Sequence, residues 1–145
     1  MILAEIGVDM TRFPGAAHLA SWAGMRPGNY ESAGKHTSGT SRPGDPRLKG
    51  TLGLAATAAA RNKNTYLAAR YKRIAVRRDK KRAMVAVGHT ILTSAWHILT
   101  RDTNYHDLGG DYFIQRTGRT RQIRRLASQL NMLGYQVSLQ SVEAV

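Results

Sequence analysis

"KKRAMVAVGHTILTSAWHILTR", residues 80–101, is charged at both ends and apolar through its middle, and its reading decides the fold. The pattern predicts the central buried helix of an all-helical domain. His89 and Trp96 lie seven apart and share a side, with His97 adjacent. No carboxylate falls between residues 80 and 101, so these histidines have neither a metal co-ligand nor an orienting acid on their own helix. Core packing is the reading they favour.

Working outward, residues 64–78 repeat Leu67, Tyr71 and Ile74 at helical spacing and leave Arg70, Lys72, Arg73, Arg77 and Arg78 mostly elsewhere on the cylinder: an amphipathic helix with a basic back. Before it, Pro46 opens "PRLKGTLGLAATAAARN", whose Leu48, Leu52, Ala55, Ala56 and Ala59 form an apolar stripe small enough for another helix to approach closely. Further back, Pro14 starts a helix carrying Leu19 and Trp22 that stops at Gly24, and "ILAEI" ends at Gly7. On the other side, "DTNYHDLGGDYF" reads as a turn around Gly109 and Gly110. His106, Asp107 and Asp111 there read as turn formers in preference to a metal site. A basic helix at about 119–133 follows, with Ile123, Leu126, Leu130 and Leu133 on one face, and "QVSLQSV" alternates as a short C-terminal strand or a tail. The fold class is mainly α: a compact helical domain with a long basic Gly/Ser loop between its second and third helices. The division expected is 1–103 for that domain, with the loop at 25–46, and 104–145 for a basic C-terminal extension.

The 145 residues are one domain in size, and a chain of that length buries roughly two thirds of its unfolded surface. There is no cysteine, which excludes disulfides and thiolate metal sites and suits a reducing compartment. Neither a run of eighteen apolar residues nor the basic-then-apolar pattern of a secretory signal is present, so the chain is read as soluble and cytoplasmic, with no membrane partner. Charge is the strongest global signal. Twenty-two Lys and Arg against nine Asp and Glu give a net charge of +13. Residues 61–82 hold ten basic side chains and one acid, and 116–125 hold five Arg and no acid. Single-signed blocks of this kind are the electrostatic footprint of nucleic-acid binding.

The loop itself, "NYESAGKHTSGTSRPGDPRLKG" at 29–50, contains four glycines, two prolines and four basic residues. Loops of this length inside a compact domain are uncommon and usually functional or disordered. Ser32 is flanked by Ala33 and Gly34, so little bulk hinders the approach of a phosphate backbone, and Lys35, Arg42 and Arg47 follow nearby. Attack by a serine on a phosphodiester needs an exposed hydroxyl, a group that removes its proton, and cations for the phosphorane oxygens. Residue types supply the first and third. Glu31 and His36 are neighbours in sequence only. No P-loop, zinc-finger, EF-hand or RNA-recognition signature occurs, and the nine acids are too scattered for a two-metal nuclease.

Several blocks in order, "ILAEIG", "RFPGAAHLASWAGMRPGNYESAGKHTSGTSRPGDPRLKGTL", "AARNKNTYLAARYKRI" and "KKRAMVAVGHTIL", resemble the C-terminal domain of the Piv-like, DEDD-type insertion-sequence transposases often called the IS-one-ten family. The resemblance covers residues 2–101, with "LGGDYF" and "RRLASQLNMLGYQVSL" similar to the tail of one branch. It implies a two-part enzyme of DNA transposition: a RuvC-like N-terminal domain whose acids hold magnesium, and a C-terminal domain whose serine becomes covalently linked to DNA. It also implies a guide (bridge) RNA and assembly into dimers and tetramers, acting on DNA in the bacterial cytoplasm. The family's serine segment matches "SAGK", which makes Ser32 the catalytic nucleophile and aligns Gly34 and Lys35; Arg42, Gly44 and Leu48 match further on, while Asp45 stands where Asn is commoner. Lys35 and Arg42 are candidate phosphate clamps, Arg47, Arg73, Arg77 and Arg78 candidate DNA or RNA contacts, and Gly34 and Gly44 loop-shaping residues. Ser38 and Ser41 remain lesser nucleophile candidates. With no RuvC-like domain before residue 1, the chain is expected to hold no metal or other cofactor itself and to be inactive alone. The alternative is a non-catalytic remnant that still binds nucleic acid.

Overall fold

The computed structural model describes the chain apart from residues 27, 29, 38–40, 117 and 141–145, and describes the backbone alone at 30–32, 36, 37 and 119. Its elements are α1 (Ile2–Ile6), a 3-10 turn (Met10–Arg12), α2 (Ala16–Trp22), β1 (Tyr30–Ser32), β2 (Lys35–Thr37), α3 (Pro46–Arg61), α4 (Tyr66–Arg77), α5 (Lys80–Arg101), α6 (Tyr112–Arg116) and α7 (Arg119–Met132). The mainly helical architecture is the one the periodicity predicts.

Helix α5 is the axis on which the 3-10 turn, α2, α3 and α4 pack. Ala83, Val87, Gly88 and Leu92 form its buried stripe. A Cβ at position 88 would lie 2.9 Å from Met25 Cε and 3.5 Å from Leu52 Cβ, so glycine lets α3 and the segment after α2 close on the helix. Around this stripe Ile6, Leu19, Leu48 and Leu52 are fully buried, with Met10, Phe13 and Met25 nearly so. Trp96 packs against the same core and donates its Nε1–H to Phe13 O at 3.1 Å, which satisfies the polar end of an otherwise apolar side chain. The expectation of a wholly buried central helix holds for one face only: Val85 and His97 are exposed, and His89 is half-buried instead of lying in the core. By length and composition α5 is also the one described helix apolar enough to cross a membrane.

Helix starts follow the side chains placed for them. Asp45 accepts from Leu48 N at 2.9 Å with Pro46 at the first helical position, Thr65 accepts from Ala68 N at 3.3 Å, and Asp79 accepts from Arg82 N at 2.7 Å. Each such cap stabilises its helix by about 1 kcal/mol. Asn and Asp are near-equal caps, so the Asp at position 45 is neutral for the fold.

The C-terminal extension is tied to the start of α4. Gly110 N donates to Asn64 O at 3.0 Å, and a Cβ at Gly110 would lie 2.9 Å from Asn64 Cα. Beside this backbone contact, Tyr66 of α4 stacks on Phe113 (centroids 5.3 Å) and meets Tyr112 edge-on (5.2 Å). Residues 112–116, whose first two were read from sequence as the end of a turn, form a helix packed on α4, and α7 in turn packs on α6. The alternating tail did not form a strand among the described residues 136–140. The described strands instead pair antiparallel within the long loop.

Candidate nucleophile hairpin and nucleic-acid interface

Ser32 is the last residue of β1 and Lys35 the first of β2, and the two are register partners; Glu31 pairs with His36 and Tyr30 with Thr37. The two residues between them, Ala33 (φ 49°) and Gly34 (φ 74°), both have positive φ, the pattern of a type I′ turn, whose twist matches that of the flanking strands. A Cβ at Gly34 would meet nothing within 4 Å. Glycine is favoured there by its backbone angle and not by space. Lys35 is exposed. Among the described residues the hairpin packs on no other element, so it stands out from the helical body as an arm.

The stem of the arm is held tightly. Gly24 adopts φ 65°, and a Cβ on it would lie 2.6 Å from Arg42 O; one on Gly44 would lie 2.2 Å from Ala23 O. Both ends of the loop thus meet backbone to backbone at the C-terminus of α2. Lys49 Nζ donates to Arg42 O at 2.7 Å and fixes the same junction. At Gly44 only a residue without a side chain fits.

The remaining predicted contacts fall in separate places. Arg42 projects exposed from the stem, and Arg47 lies exposed in the first turn of α3. Arg73, Arg77 and Arg78 are exposed at the C-terminal half and end of α4, with the Arg73 guanidinium 4.8 Å from the Phe113 ring centroid, a cation–π distance. The structure brings Ser32 to Lys35 and does not bring the arm to the α4 face. Ser41 is exposed, and Ser38 lies outside the described residues, as does the side chain of Ser32. Among the described residues Arg82 with Asp79, at 3.3 Å, is the only ion pair, which leaves the basic face largely unneutralised.

Among the described residues no group of three His, Asp or Glu is placed together as metal ligands would be. Asp107 is engaged otherwise: it accepts from Tyr66 N at 3.0 Å and from Gly109 N at 2.7 Å, with Tyr105 Oη at 3.3 Å. The bond from Tyr66 N–H is the main reason its carboxyl titrates below the usual range, while burial first, and then the Asp107 carboxylate, push the Tyr105 phenol up. A cleft of about 440 Å³ lies beside these groups, lined by Asn64, Thr65, Lys72, Gly110, Asp111 and Ile114 among others, none of them from the arm.

One electrostatic influence escaped sequence reasoning. Arg26, Arg70 and His89 come from the segment after α2, from α4 and from α5, and desolvation followed by the charges of Arg70 and Arg26 holds the His89 imidazole below its ordinary pKa. Residues so far apart in the chain share no local pattern, and no single-helix reading could have joined them.

With this geometry in place, the comparison with protein families is specific. Residues 1–72 of the 145, which carry α1–α3, the arm and the first half of α4, match the model of the Transposase IS116/IS110/IS902 family. The similarity to that family is confined to these residues, just under half of the chain. A comparison with curated proteins found no match, and neither did one with solved structures.

Proposed function

We propose that this chain is the nucleophile-bearing part of an insertion-sequence transposase and that Ser32 attacks DNA from the tip of the arm. The observation that carries the reading is the placing of Ser32 and Lys35 as register partners at the turn of a hairpin inside the family-matched segment. In the step proposed, Ser32 Oγ forms a bond to phosphorus, the phosphodiester P–O bond breaks, and the departing DNA hydroxyl takes up a proton; the DNA is left esterified to the serine. Lys35 offers its ammonium to the phosphorane oxygens from across the turn, and Arg42 offers a second cation at the stem. Arg47, Arg73, Arg77 and Arg78 bind further phosphates of DNA or of a guide RNA. Magnesium belongs in this reading to a RuvC-like domain of a longer protein, assembled as a homo-oligomer, and no step is assigned to it here.

A second reading, a remnant that binds nucleic acid without chemistry, draws on the separation of the arm from the α4 basic face. Covalent trapping separates the two. The chain is mixed with a RuvC-like partner domain, guide RNA, magnesium and element-junction DNA and run on a denaturing gel beside Ser32→Ala. A DNA-linked band that vanishes in the variant is the expected result. Retention of the band in Ser32→Ala, or salt-sensitive binding with no band in an assembly shown to form, overturns the nucleophile assignment.

A further inference from the structure

We propose that the cleft between α4 and the Gly109–Gly110 turn receives one unstacked base of a single-stranded nucleic acid, with guanine the base it fits best and Lys72 on the adjoining phosphate. The proposal rests on the nucleic-acid reading above and adds to it a base-reading site on elements that carry no part of the arm.

The cleft measures about 440 Å³, a size at which proteins hold small flat ligands. Thr65, Ala68, Ala69 and Lys72 line it at positions i, i+3, i+4 and i+7, one face of α4. Gly109, Gly110, Asp111 and Ile114 line it from the other side. Space remains because no large side chain stands where helix and turn meet: alanines form one wall and glycines the other. The turn is held in place, since Gly110 N donates to Asn64 O at 3.0 Å and Gly109 N donates to Asp107 Oδ1 at 2.7 Å. The methyls of Ala68 and Ala69 and the exposed Ile114 give the slot apolar surface for the face of a ring.

Charge decides what enters. Lys72 and Asp111 line the same cleft, yet neither is in an ion pair among the described residues. Asp111 Oδ2 accepts from Gln115 Nε2, and its Oδ1 has no hydrogen bond among the described residues. A carboxylate inside the cleft disfavours a phosphate there. The helix start offers no compensation, because the Tyr66 N–H is taken by Asp107 and the Ala68 N–H by Thr65. A carboxylate with open lone pairs favours a ligand that brings N–H donors. Guanine brings two adjacent ones, N1–H and the N2 amino group, whereas thymine and uracil bring a single imide N–H. That edge is open only in an unpaired base. Lys72 is exposed, so its ammonium is available to the phosphate of the same nucleotide, and Arg73, Arg77 and Arg78 continue the cationic path along α4.

The test titrates the intact chain with heptathymidylate and with the same strand carrying guanine at its centre, beside the corresponding uridylate pair, at fixed ionic strength. Affinity is read by fluorescence anisotropy and the Gly109 and Gly110 amides by NMR. The guanine strand is expected to bind about fivefold or more tightly than its plain counterpart and to shift both glycine amides. Asp111→Asn, and Ala69→Leu, which fills the cleft, should bring the ratio to about one, while Lys72→Gln weakens both strands and lowers the salt slope by about one. The pair with the larger ratio tells whether DNA or RNA supplies the base. Equal affinity for guanine and plain strands, or unmoved Gly109 and Gly110 amides in the saturated wild type, where folding is not in question, overturns the cleft and leaves the nucleic-acid reading standing. Failure of every strand to bind at low salt sinks that reading and the cleft with it.

Discussion

Gly44 and Gly34 do different work although ten residues apart in one loop. At Gly44 the space a Cβ needs is occupied by Ala23 O at 2.2 Å, so Gly44→Ala forces the loop stem away from α2. The expected cost is about 1–3 kcal/mol of unfolding free energy, read from chemical denaturation. At Gly34 the space is open and only φ 74° is at stake, so Gly34→Ala costs the arm about 1–2 kcal/mol locally and leaves global unfolding nearly unchanged. A sequence does not distinguish a crowded glycine from a turned one. His89 was read as a core residue because its own helix offers it no partner. Its folded pKa is lowered by burial and by Arg70 and Arg26, so the native state binds fewer protons than the unfolded chain around that range. The resulting stability is complete above the ordinary value of about 6.5 and is lost as pH falls below it. The thermal midpoint should therefore drop between about pH 7 and pH 5, and drop less in His89→Gln.

At the level of elements, the arm carries a residue that its turn disfavours. Ala33 sits at φ 49°, where Asn, Asp or Gly are preferred in a two-residue type I′ turn. Ala33→Asn is expected to populate the hairpin more fully, seen as stronger cross-strand NOEs and slower amide exchange across 30–37. If these decrease, the turn assignment is wrong. Helix α4 depends at its start on a residue from far along the chain, since Asp107 caps Tyr66 N while Thr65 caps Ala68 N. Asp107→Ala should lower stability by about 1 kcal/mol, with Asp107→Asn retaining much of it because the amide oxygen still accepts. The helices themselves were legible: Pro46 and Lys80 start α3 and α5, and α4 and α7 fall within two residues of their expected bounds. Helix α6 was not legible, because its five residues are too few to show a period and its aromatic side chains take their order from Tyr66 on α4.

Across the whole molecule, the basic side chains form patches on separate surfaces: the arm and its stem, the first turn of α3, and the end of α4. Nucleic-acid affinity should fall steeply with salt, and the combined Arg73→Gln, Arg77→Gln, Arg78→Gln variant should reduce the slope by up to about three while sparing Ser32 chemistry on a bound junction. A slope unchanged by that variant removes α4 from the interface. The sequence by itself determined the helical class, the capped starts of the helices, the basic character and the identity of Ser32, Gly34 and Lys35 as one segment. All of these rest on interactions within a few residues, or on charge, which needs no geometry. Only the tertiary structure decided that Gly24 and Gly44 meet backbone to backbone at the arm's stem, that Met25 and Leu52 close on Gly88, and that Tyr66 of α4 takes Tyr112 and Phe113 against it. Each of these depends on contacts between residues far apart in the chain, which leave no periodic trace in it.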